Sequence, residues 1–426
     1  MTSSSLAAPK TRQTTRRGLR PMLVVMLVIS LYILLNASSI QNSLPAQAAF
    51  GLLIAVITSS IIIGLLHRRR IPHVGFALGF WGLIMVAQIL QYPLSPNALS
   101  QHAFSDLAIM LVPIGLAVVI GMWAQSRDEL MKLMIVVVAS ATVGAVIAWV
   151  TSSGLQRFES PSILAIVGSW VLATLPYSGL SISAGAARRL RVVALAVVII
   201  LLPVILASRS RTALGVWVLA GLVCFVLPGM RRRPRSIAMI LAAIVCAVAF
   251  LTMADRLVAN GLPAQLVAQA RLEALISRSG DASSESRIAE VADVVSTMQV
   301  EGSALDTLLG FGHGASYLPN RSYIAPNVDA ETGRVHHIHV TPAMVGFRYG
   351  AVGLLAFLVL FGAAFMNSLV CFRRRRDLLS AFVLVSLLMY FTDLLVRNSF
   401  VDPGMSLVIA VAFVGNQLKD SSVGAS

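Results

Sequence analysis

The sequence predicts an all-α fold: a polytopic membrane helix bundle of about twelve transmembrane helices with one large, mainly helical outer loop. Three observations predict it. Of the 426 residues, 57% are hydrophobic and only 12% are charged, against about 25% charged in a soluble globular chain. The apolar residues fall into runs long enough to cross a hydrocarbon core, which takes roughly 20 residues of helix. A single long polar stretch, residues 255–340, interrupts that rhythm.

The elements follow in chain order. Residues 1–20 form a basic tail holding Lys10, Arg12, Arg16, Arg17 and Arg20. A positive segment before an apolar run also opens a signal peptide, and Ala46-Gln47-Ala48 has the small-residue pattern of a cleavage site. The first run is long enough to cross and further runs follow at once, so it reads as a retained helix. Residues 21–254 carry transmembrane helices 1–9, at about 21–37, 45–66, 74–92, 103–124, 131–151, 161–181, 190–207, 212–229 and 236–254. The large loop follows at 255–340. Helices 10–12 lie within 341–416, at about 341–369, 378–396 and 402–416, and residues 417–426 form a short tail. No internal repeat marks an inverted-repeat transporter.

Basic residues set the orientation, because short cytoplasmic segments retain Lys and Arg. With the N-terminus in the cytoplasm, the cytoplasmic segments hold the basic tail, Arg68 to Arg70, Arg127 and Lys132, the Arg188–Arg191 cluster, the Arg231–Arg235 cluster, Arg373 to Arg376 and Lys419, together 22 of the 33 basic residues. The short outer loops 38–44 and 93–102 carry none. Both termini are therefore expected in the cytoplasm and the large loop outside. The net charge of +15 is distributed as topology signals between apolar runs and makes no nucleic-acid-binding face. The three cysteines, Cys224, Cys246 and Cys371, offer neither a disulfide framework nor a CxxC metal site.

Within the loop, residues 262–277 and 284–300 show helical spacing. In the second these are Ile288, Val291, Val294, Val295 and Met298, with Ser283 or Ser284 as cap and Glu285 in the first turn. Gly310-Phe311-Gly312-His313-Gly314 is a glycine turn, and no strand precedes it as a dinucleotide fingerprint requires. The loop closes on Val335-His336-His337-Ile338-His339-Val340. A wet surface cluster is the plain reading of these histidines. A zinc site is a second, since His337 and His339 share one side of an extended segment, but it needs two further ligands and His313 is the only nearby candidate. A catalytic or substrate-binding role is the third.

Arg209 and Arg211 stand in the short turn Ser208–Thr212, on the outer side, against the charge bias. Snorkelling to lipid headgroups accounts for such residues structurally; intramembrane guanidinium groups are otherwise usually functional. Asp106, Arg348, Asp393 and Arg397 fall at the same outer level, a pattern of one polar cavity opening outward, although Asp393 and Arg397 are also spaced to pair on one helix face. Arginine forks match phosphate oxygens. Fixed cations stabilise charge growing on a departing pyrophosphate, and a histidine of near-neutral pKa can take the proton of an attacking sugar hydroxyl.

Three separated segments resemble the O-antigen ligase and O-antigen polymerase family of polytopic, lipid-linked glycan transferases. Ser208–Gly215 resembles its Ser-Arg-Thr element at the start of a span. Arg287 to Gly314 resembles its arginine-led helix followed by a glycine turn. His337-Ile338-His339 with Gly350-Ala351-Val352-Gly353 resembles its His-x-His-Asn stretch followed by Gly-x-x-Gly. The likeness covers about residues 195–400. It implies a bundle in the bacterial cytoplasmic membrane that moves glycan from undecaprenyl pyrophosphate to an acceptor glycan or glycolipid on the outer face, with neither metal nor cofactor. Carried over, Arg211 and Arg287 bind the pyrophosphate and His339 lies beside the attacking hydroxyl. Arg209 is a second phosphate contact, and His337, His336 and Arg348 are further substrate contacts. Val340 stands where the family often has asparagine, and Arg348 where an acidic residue is common. A flippase for the same lipid-linked sugars is the main rival; it would need no folded outer loop bearing histidines. Transferases using polyprenyl-monophosphate sugars resemble one another in acidic residues of the first outer loop, and residues 38–44 hold no carboxylate.

Overall fold

In a computed structural model, the described residues are 12–37, 44–90, 100–151, 161–175, 184–207, 211–227, 282–319, 328–329, 331–395, 397, 400 and 402–418. Among them the chain is helical, with only the isolated antiparallel bridges Tyr317–Val335 and Val328–Val335 in extended form. The helices are α1 (Arg12–Ala37), α2 (Leu44–Leu66), α3 (Phe76–Ala87), α4 (Ser100–Trp123), α5 (Arg127–Thr151), α6 (Pro161–Thr174), α7 (Ala184–Ala207), α8 (Arg211–Val226), α9 (Ala282–Glu301), α10 (Ala304–Leu309), α11 (Thr341–Arg375), α12 (Leu378–Leu394) and α13 (Pro403–Val414). The expected ninth span (236–254), the loop helix at 262–277 and Arg209 lie outside the described residues. The second expected loop helix, 284–300, falls within α9.

Four stretches are long and apolar enough to cross a membrane: Ala48–Leu66, His102–Trp123, Arg127–Ile147 and Thr341–Arg375. Six shorter apolar helices accompany them among the described residues. A helix that is apolar all round belongs inside a bundle, and every residue of α13 is buried. It packs against α4, α11 and α12; α1 lies on α2 and α5, and α6 on α5, α7, α8 and α12. Large apolar side chains left exposed on the outside, such as Leu83, Leu90, Ile199 and Leu355, give the bundle a surface that lipid tails suit and water does not.

One end of the bundle is closed by an arginine clasp. Arg127, at the start of α5, donates from Nε and Nη2 to the two oxygens of Asp377, at 2.6 and 2.9 Å, and also to the Ser380 hydroxyl and the Gly415 carbonyl. Such fork-to-carboxylate pairing is the strong form of ion pair. Asp377 caps α12 through the Ser380 N–H, at 2.8 Å. Burial raises the Asp377 carboxyl pKa, but the Arg127 hydrogen bonds and charge outweigh it and hold the group below its ordinary value. The clasp joins the ends of α5, α11, α12 and α13, beside the Arg373–Arg375 run that closes α11.

The opposite end carries the folded part of the long loop. Here α11 is kinked at Gly350, whose φ of 63° and ψ of −163° only glycine adopts readily. The kink frees the Phe347 and Arg348 carbonyls from helix bonding. They accept instead from the Phe311 and Gly312 N–H groups, at 3.0 and 2.8 Å. Gly310 and Gly350 approach each other so closely that a Cβ on either would meet backbone atoms of the other's segment. The glycine turn and the Gly-x-x-Gly stretch, separate in sequence, are thus one docking joint between loop and bundle.

Candidate active site at the loop end of the bundle

The histidine segment is extended, so side chains alternate. Val335 and Ile338 are buried and anchor it, with Val335 exchanging backbone hydrogen bonds with Tyr317 at 2.9 and 2.8 Å. Arg334 ties the segment to α9 through Glu301, at 2.7 Å. His337 and His339 share one side, their rings edge-on with centroids 4.6 Å apart. His336 turns the other way.

His339 is held by a carboxylate. Glu290 of α9, 3% exposed, accepts the His339 backbone N–H on one oxygen at 3.0 Å and stands 3.0 Å from Nδ1 with the other. The Tyr317 hydroxyl donates to that second oxygen at 3.3 Å. The imidazole itself remains 41% exposed. A histidine bonded through Nδ1 with its other edge in the open presents Nε2 to whatever binds there. Glu290 belongs to a buried face of α9 with Asp293, Val294 and Thr297, and α9 packs on α11. Arg287, half-buried, stands three residues earlier on that helix, and residues three apart on a helix are neighbours.

Arg211 opens α8. Helix register places that opening at the loop end. Trp217 and Gly221 of α8 meet Trp170 of α6, and Cys224 meets Thr174 one turn on, so the two helices run parallel. Counting back, Arg211 lies level with about Leu164 of α6, which packs on Gly404 at the start of α13. Asp402, just before Gly404, accepts from Tyr390 near the end of α12 at 2.8 Å. Arg397, just beyond α12, offers its carbonyl to Thr341, two residues after His339, at 2.8 Å. The start of α8 and the histidine segment thus share one end of the bundle.

His336 and Arg348, expected as substrate contacts, are placed otherwise. Arg348 is 4% exposed and Asp106 5%. They pair at 3.1 Å between α4 and α11, and Arg348 Nη2 also donates to the His336 carbonyl at 2.6 Å. Asp106 further accepts from the Gly314 N–H at 2.9 Å. The His336 ring stacks on His102, centroids 4.0 Å apart. Burial and the neighbouring Arg348 cation push its pKa down to about 4, so it stands neutral at neutral pH. These groups make a closed ionic knot under the loop and do not line an open cavity. Buried ionic groups need such pairing, and of the Arg348 nitrogens only Nε is left without a hydrogen-bond partner.

His313, the candidate further ligand in the zinc reading, is 1% exposed. Its Nε2 lies 2.9 Å from the Met85 carbonyl, and its Nδ1 lies 3.2 Å from the Tyr349 hydroxyl. Burial lowers its pKa, and both nitrogens are engaged away from His337 and His339. Asp393 and Arg397 pair with each other at 3.9 Å, as their spacing suggests.

Glu290 escaped the sequence reading. Its signal was its position on the Arg287 helix, three residues on and on the stripe that also carries Val294. Neither protein-family models nor curated proteins match this chain.

Proposed function

We propose that this protein is a membrane glycosyltransferase of the O-antigen ligase and polymerase type, with about twelve spans in the bacterial cytoplasmic membrane and its loop end on the outer face. It moves glycan from undecaprenyl pyrophosphate to a sugar hydroxyl of an acceptor glycan or glycolipid. The observation that carries this reading is the half-exposed His339 imidazole held by the buried Glu290 carboxylate, with Arg287 three residues earlier on the same helix, at the bundle end where Arg211 opens α8. Arg211 and Arg287 bind the diphosphate, with Arg209 beside them in the sequence, and His337 stands next to His339 on the acceptor's side.

The acceptor oxygen attacks the anomeric carbon of the donor sugar and forms the new glycosidic bond. The bond from that carbon to the pyrophosphate oxygen breaks, and polyprenyl pyrophosphate leaves with the electron pair. The hydroxyl proton passes to Nε2 of His339. Each preorganised cation aimed at the leaving oxygens lowers the barrier by roughly 2–4 kcal/mol, by analogy with oxyanion-hole donors. Arginine supplies that charge, so no metal is called for.

The test uses purified protein in bilayer nanodiscs, supplied with a polyprenyl-pyrophosphate-linked oligosaccharide and excess EDTA. The expected result is glycan transferred or lengthened, with free polyprenyl pyrophosphate released. Turnover that requires a divalent ion overturns the arginine mechanism. If vesicles replace the discs and the substrate only crosses the bilayer unaltered, the protein is a flippase.

A further inference from the structure

We infer that Glu290 is the positioning residue that fixes His339 as the Nδ1–H tautomer and aims its Nε2 lone pair at the acceptor hydroxyl, a role that rests on the glycosyl-transfer reading. The geometry is selective. The carboxylate engages the backbone N–H and the ring Nδ1 of one residue at the same time, both at 3.0 Å, so it fixes the position of His339 and also its ring rotation. A carboxylate has no hydrogen to give, so the proton of this contact belongs to Nδ1. Nε2 is then unprotonated and can accept. Glu290 is anchored in turn by the Tyr317 hydroxyl at 3.3 Å, and Tyr317 is fixed by its backbone bridge to Val335. The carboxylate is buried while the ring it holds is 41% exposed, so the restraint is kept from water and the ring is not. As acceptor attack proceeds, the imidazole gains the hydroxyl proton on Nε2, and the adjacent carboxylate favours the imidazolium that forms. A buried acid oriented on an imidazole does this elsewhere, and its loss lowers kcat through the wrong tautomer.

Two measurements on the full-length protein in nanodiscs test this. The first needs no substrate. In 15N-histidine-labelled protein, the His339 signals are assigned by difference against His339→Gln. The expected spectrum at pH 8 shows Nδ1 protonated and Nε2 bare. The Nε2–H tautomer in the wild type overturns the inference. The second compares Glu290→Gln with the wild type, using a polyprenyl-pyrophosphate-linked oligosaccharide. A glutamine has one acceptor oxygen for two N–H groups, so the tautomer becomes mixed. The expected kcat falls roughly a hundredfold, in the range of a lost acid–base contribution, with KM for the donor little changed. Unchanged kcat together with an unchanged tautomer also overturns it. If the wild type shows the Nδ1–H form and yet transfers no glycan, the orientation stands and the glycosyl-transfer reading falls.

Discussion

His339→Ala is expected to lower glycan transfer by roughly a hundredfold to ten-thousandfold, the contribution of a positioned general base, while the protein inserts and folds as before. The ring is half exposed and its segment is anchored by Val335 and Ile338, both buried. Removing the imidazole deletes one contact of the buried Glu290 carboxylate, which keeps the His339 backbone N–H and the Tyr317 hydroxyl. Arg287→Ala is expected to act in the same direction through the donor. It removes a cation from one turn before Glu290, with a loss of about 2–4 kcal/mol in transition-state stabilisation. The two can be told apart. The histidine variant should bind donor normally and fail in turnover, whereas the arginine variant should lose both affinity and rate. Transfer by purified protein measures the rate, and detergent-solubilised yield and thermal melting measure the fold. Retention of wild-type transfer by His339→Ala would leave the proposed chemistry without its base.

Asp106→Ala is expected to destabilise the loop end by about 3–5 kcal/mol, the usual result of removing one partner from a buried ion pair. Arg348 would keep its guanidinium buried with the His336 carbonyl and ring and the Tyr349 hydroxyl to meet it, but without its counter-charge. The Gly314 N–H would lose its acceptor as well. Both losses fall on the joint between glycine turn and α11, so the folded loop should loosen before the rest of the bundle. Thermal melting in detergent, read beside limited proteolysis of residues 303–340, checks this. Asp106→Asn keeps the shape and an acceptor for Gly314 but not the charge, and should lie between the two. Equal stability of all three proteins would show that the knot carries no load.

Much of this was open to a reader of the sequence, for physical reasons that differ from residue to residue. Apolar run length exposes helices whatever they pack against, so α1 to α8 and α11 to α13 each overlap an expected run, four of them with a stretch long and apolar enough to cross a membrane. The shared side of His337 and His339 follows from the two-residue repeat of an extended chain. The pairing of Asp393 with Arg397 follows from the helix repeat. Long-range partners are not written this way. Arg348 read as a substrate contact because Asp106, 242 residues away, gives no local sign that it will claim the guanidinium. The Gly310 and Gly350 elements read as two motifs, although they are the halves of one joint. Glu290 lay between these cases: its helix was legible, but the buried face was not, since Ile288 and Val295 of the apolar spacing are exposed, and its hold on His339 depends on how α9 docks against the segment leading into α11.

In the proposed mechanism, guanidinium groups from α8 and α9 converge on one diphosphate at the loop end, with His339 close by. Photoaffinity labelling with a polyprenyl diphosphate carrying a diazirine next to the phosphates tests it most directly. Labelled peptides containing Arg211, Arg287 and His339 together, competed away by unmodified polyprenyl pyrophosphate, are the predicted result. Labelling concentrated instead near Arg68 to Arg70 and Arg373 to Arg376, at the clasp end, would contradict it.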